Sequence, residues 1–193
     1  TTKKDIDGAC DAEAKSAFAE SYGLTEGTGA DFLTNYETFK TEAAASRAVQ
    51  KTIDCKKVEG ATCDDLVREE AAKALGGETF ATIKNDPAKK ARFEAQFESL
   101  TADASAKKLT EVMRSYKNLP KANRTAEALK EYKKMQIKTY ADGEAGEKEA
   151  QIDFEQAKRS GAQASIAETI QSCKKANATG CDVLGMTAYA EGM

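Results

Sequence analysis

Cysteine is the residue whose spacing carries the most chemistry in this chain. Cys55 and Cys63 are separated by seven residues, and Cys173 and Cys181 repeat that spacing 118 positions later. The second cysteine of each pair is followed by an aspartate, Asp64 or Asp182. The flanks match too: Thr52-Ile53-Asp54-Cys55-Lys56-Lys57 stands beside Thr169-Ile170-Gln171-Ser172-Cys173-Lys174-Lys175. Such thiols can pair, bind metal or lie buried. If each pair ends one helix and begins the next, a short loop between antiparallel helices brings the two Cα atoms within disulfide range. A four-cysteine metal site normally uses closer spacing than this. We therefore expect disulfides Cys55–Cys63 and Cys173–Cys181, each contributing about 2.5 kcal/mol by loop entropy. They imply an oxidising compartment: extracellular, periplasmic, or an organelle lumen such as that of the thylakoid. Cys10 is left over, as a free or buried thiol or as the partner of another chain.

Other chemistries are constrained by what is missing. Histidine is absent. Ser-His-Asp and Cys-His mechanisms are thereby excluded within the chain, and no catalytic residue is assigned. Tryptophan is also absent and aromatics are 7% of residues, which gives little for stacking single-stranded nucleic acid. Lys plus Arg number 29 against 32 Asp plus Glu, a net charge of -3 that disfavours a nucleic-acid partner. No apolar run approaches the ~20 residues that span a bilayer.

Weaker signals remain. Asn123-Arg124-Thr125 and Asn177-Ala178-Thr179 fit the N-glycosylation pattern. Both are expected near hairpin loops, where helix capping is the favoured role. Asp64, Asp65, Glu69 and Glu70 form an acidic group that could attract Ca2+. Their placement at a helix start makes interaction with the helix dipole the better reading, and no metal site is expected. Paired lysines (Lys3-Lys4, Lys56-Lys57, Lys89-Lys90, Lys107-Lys108, Lys133-Lys134, Lys174-Lys175) read as solvated faces, with peripheral attraction to anionic lipid as the alternative. Met186, Tyr189 and Met193 near the end of the sequence are the candidate docking residues. No cofactor is expected, although Asn, Gln or Glu could ligate a pigment, and a lipid could lie in a groove.

The elements that must position these groups are helices. Only two prolines interrupt 193 residues, and no period-two apolar run occurs. Apolar residues recur at helical spacing: Phe32, Tyr36, Phe39, Ala43 and Val49; then Phe93, Phe97, Leu100, Leu109, Val112, Met113 and Tyr116; then Leu129, Tyr132, Met135 and Ile137; then Ile152, Phe154, Ile166 and Ile170. Asp86-Pro87 starts a helix, with an acid to cap it and proline in its first turn. Asn123 or Thr125 is expected to cap a helix running to about Ala141. The stripes are narrow and rich in alanine, so a modest core is expected.

The cysteine repeat extends into a longer one. At an offset of 61, Phe32, Tyr36, Phe39 and Ala43 fall on Phe93, Phe97, Leu100 and Ala104, and Cys55 falls on Tyr116. The unit is about 60 residues: a long helix, a tight loop and a shorter helix. The expectation is a single all-α domain over residues 1–193. Its units are 28–77, 85–141 and 144–193, with a leading half unit 8–23. Helical hairpin repeats of this kind mostly bind other proteins. The expected function is a non-catalytic structural or linker subunit that holds other protein subunits of a larger complex together. The start Thr1-Thr2-Lys3-Lys4 suggests removal of a targeting peptide. One setting that would combine these features is a thylakoid photosystem–antenna complex, a choice of setting rather than a deduction from residues. The alternatives are a lumenal or secreted carrier of a lipid or pigment, and a secreted, self-associating surface or filament protein.

Overall fold

The computed structural model of the chain describes residues 12–19, 30–58, 63–76, 78–176 and 178–193. Every regular element among them is an α-helix: α1 (residues 12–19), α2 (Ala30–Lys56), α3 (Cys63–Gly76), α4 (Phe80–Ile83), α5 (Pro87–Ser115), α6 (Lys121–Met135), α7 (Glu144–Lys175) and α8 (Cys181–Gly192). The chain divides into two compact units, Thr1–Ala43 and Ala44–Met193.

In the first unit the described core is aromatic. Phe18 of α1 meets Phe32, Tyr36 and Phe39 of α2, with ring centroids 5.7, 5.7 and 5.2 Å away. Tyr36 is almost wholly buried, whereas Phe39 is 41% exposed despite its place in the expected stripe.

The second unit is built around α5 and α7. Asp86 caps α5 by accepting from the backbone N–H groups of Ala88 and Lys89, and Pro87 occupies the first turn. This is the start the sequence calls for. One cluster gathers Ala48, Val67, Ala71, Ala72, Phe80, Ile83, Phe93 and Phe97. A second gathers Leu109, Met113, Ala128, Tyr132 and Phe154. A third joins Ala45, Val49, Ala104 and Met135. Alanine is frequent here because helices that meet through small side chains approach closely. Gly161 takes this furthest. A Cβ there would run into the carbonyl oxygen of Ala106 and the Thr110 hydroxyl, so glycine sets the α5–α7 spacing.

Several sequence expectations need correction. Neither Asn123 nor Thr125 caps α6. The helix begins at Lys121, Pro120 holds the cap position without a side-chain bond, and Thr125 donates to the Lys121 carbonyl from within the first turns. Nor does α6 reach Ala141. It ends at Met135, and Gln136 is extended. A distant residue meets the chain there: the Lys56 ammonium donates to the carbonyl of Lys133 in the last turn of α6 and to that of Lys138 just beyond it. Ile152, expected in the apolar stripe of α7, is 67% exposed, while Phe154 of the same stripe is buried as expected. The one-turn helix α4 was not anticipated. Its start is held by Glu69, which accepts from the Phe80 N–H at 2.7 Å, and its residues Phe80 and Ile83 are buried.

Candidate docking surface

The cysteine pairs are where the spacing places them. Cys55 and Cys63 bridge the end of α2 to the start of α3, with Cα atoms 5.7 Å apart. Cys173 and Cys181 bridge α7 to α8, with Cα atoms 5.5 Å apart. Cys10 and Asn177 lie outside the described residues.

The second bridge fixes the root of α8. Gly180 precedes it in the left-handed region (φ 76°), a conformation glycine adopts without strain, and turns the chain into the helix. From there the spacing of small residues decides which face is covered. Cys181, Gly185, Ala188 and Gly192 are buried. Gly185 lies against Ile170 and Ile166 of α7, and Gly192 against Ala162 and Thr110. The opposite face carries Val183 and Met186, which are 68 and 73% exposed, and Leu184, 49% exposed, stands on the flank between the two faces. Asp182 and Glu191 are the only charged residues of this helix. A surface helix ordinarily turns a polar face to water. This one turns apolar side chains both ways.

Of the three expected docking residues, Met186 therefore stands on the open face. Tyr189 and Met193 are half-buried. Val183 and Leu184 were missed, although the near-absence of charge in the sequence of α8 could have marked them. Beside α8, the last turns of α7 form a shallow groove of about 540 Å³, lined by Ala167, Ile170, Gln171, Lys174 and Lys175. Ile170 thus contributes both to the seat of α8 and to this groove.

The second unit also holds a cleft of about 510 Å³ whose walls include Arg68, Phe97, Asp103, Tyr132, Lys138 and Asp153. The Tyr140 hydroxyl donates to Asp153 at 3.1 Å, and Lys138 pairs with both Asp153 and Glu149. Burial, followed by the negative charge of Asp153, pushes the Tyr132 phenol up to about 12. Tyr140 is shifted upward as well, first by burial. Both phenols are held protonated at neutral pH, so they serve as hydrogen-bonding groups rather than bases.

The acidic group at the start of α3 is engaged by cations. Asp64 pairs with Arg68, Asp65 with Lys84, and Glu69 with Lys73. Among the described residues no cluster of three or more acidic or cysteine side chains could hold a metal ion. No described helix is long and apolar enough to cross a membrane.

No protein-family model, curated protein or solved structure matches the chain.

Proposed function

We propose that this chain is a non-catalytic structural or linker subunit that binds and stabilises other proteins of a larger assembly. The observation that supports this reading best is the outward face of α8. Val183 and Met186 stand in water on a helix whose other face is already packed, with Leu184 exposed on its flank, and the root of the helix is tied by a disulfide. Exposed apolar side chains grouped on one face favour a protein partner. The absence of histidine fits a role without acid–base turnover.

In this reading α2–α3, α5–α6 and α7–α8 are three copies of one hairpin, a long helix followed by a shorter one. Their lengths of 27 and 14, 29 and 15, and 32 and 12 residues are in keeping with it. The two cysteine pairs favour an oxidising compartment, of which a thylakoid lumen housing a photosystem–antenna complex is one example. A lipid or pigment carrier receives less support. The cleft of the second unit is walled by Asp64, Arg68, Glu98, Asp103, Lys138 and Asp153, which suit an apolar ligand poorly.

The test is native mass spectrometry of the protein isolated from its source without reductant. Specific co-purifying proteins and a mass four hydrogens below the reduced chain are expected. Substituting Val183→Asp with Met186→Asp should remove the partners while leaving the helical circular dichroism unchanged. A partner-free monomer, or a double variant that retains its partners, would overturn the proposed docking face.

A further inference from the structure

The first turns of α6 carry a motif whose asparagine side chain the fold does not use. Asn123-Arg124-Thr125 has the acceptor asparagine, a residue other than proline, and the hydroxyl two positions on. Capping was its competing role, and α6 starts two residues earlier without it. The Asn123 side chain makes no hydrogen bond among the described residues, and residues 117–123 form an unbroken exposed run. The residue one turn further along, Ala126, is small and exposed, so the face around Asn123 is open. Asparagine is a poorer helix former than alanine. Its place in the first turn of α6 therefore earns nothing from capping, propensity or packing.

We propose that Asn123 is an N-glycosylation site, modified by an oligosaccharide while the chain passes through the endoplasmic reticulum. The step is a transfer that needs no redox partner. The Asn123 amide nitrogen forms a bond to the anomeric carbon of the glycan, that carbon's bond to the lipid diphosphate breaks, and the lipid diphosphate leaves as the amide gives up one proton. Transfer precedes folding, so the bond that Thr125 later makes to the Lys121 carbonyl does not block recognition. After folding, the open surface around Asn123 accommodates the sugar. This inference rests on the oxidising-compartment reading and narrows it to the secretory route.

The test is the full chain secreted from insect cells, digested and mapped after enzymatic glycan release in heavy-oxygen water. Conversion of Asn123 to labelled aspartate is expected. Thr125→Ala should abolish the label and Thr125→Ser should retain it, a pattern that a defect in folding would not reproduce. A secreted protein with both disulfides formed and Asn123 unlabelled would overturn the glycan while leaving the compartment reading intact. Free thiols in the secreted protein, with Asn123 unlabelled, would overturn both.

Discussion

Tyr132 shows how a single side chain ties stability to pH. It is buried between α6 and α7, edge-on to Phe154 with ring centroids 5.8 Å apart. Its ordinary value of 10.0 is raised to about 12 in the fold, so the folded state holds the proton that the unfolded chain releases. The resulting contribution is complete below pH 10.0 and is lost as the pH rises toward about 12. Denaturant midpoints should therefore fall across that alkaline window. Tyr132→Phe, which keeps the ring, should flatten the fall, and an unchanged profile in the variant would refute the assignment. Neighbouring residues show what a sequence can and cannot reveal. Phe93, Phe97, Leu109, Met113, Tyr132 and Met135 are buried as their spacing indicates. Ile152 and Phe39 are not, because helices rich in alanine present several faces of similar polarity and leave the rotational phase undetermined. The docking face was partly legible for the same reason: Met186 stood out by type, but Val183 and Leu184 emerge only once Gly185 and Ala188 mark the buried side.

At the scale of the element, helix ends follow local chemistry in some places and distant contacts in others. The start of α5 was readable because Asp86 and Pro87 act within their own turn. The end of α6 was not, because the group that meets the Lys133 carbonyl in its last turn is Lys56, far away in sequence. The loops closed by cysteine were readable because both partners lie eight positions apart. Each bridge removes loop entropy from the unfolded chain, and for so short a loop the contribution is about 2.5 kcal/mol. Reduction should lower unfolding stability by roughly that amount per bridge. Comparing denaturant midpoints for Cys55→Ala/Cys63→Ala and Cys173→Ala/Cys181→Ala would separate the two contributions. Loss of the second bridge should loosen α8 first, seen as faster amide exchange across residues 181–192. Uniform loosening of all helices would show that the bridge acts on the whole unit instead.

Across the whole molecule, charge is plentiful and spread out. Pairs such as Lys57–Asp54, Lys130–Glu127, Lys134–Glu131 and Lys148–Glu144 link successive turns on exposed faces. Water and salt screen such pairs, so they maintain solubility more than they hold helices together. Two cations depart from this pattern: Lys158 is buried and paired with Glu155, and Arg68 is the other. It is partly buried, bonded to Glu94 at 3.0 Å, with its guanidinium 5.2 Å from the centre of the Phe97 ring. Raising chloride salt to about 1 M should accordingly leave the thermal midpoint nearly unchanged. A large drop would mean that surface charge carries stability here assigned to the apolar clusters.

The short reach of the two bridges bears on how the chain is made. At a synthesis rate of about 5–20 residues per second, the second cysteine of each pair leaves the ribosome about a second after the first. Cys55 and Cys63 can therefore join before α7 and α8 leave the ribosome, and Cys173 and Cys181 emerge long after both. Order of emergence keeps the first bridge's thiols apart in time from those of the second, which in a full-length chain would compete.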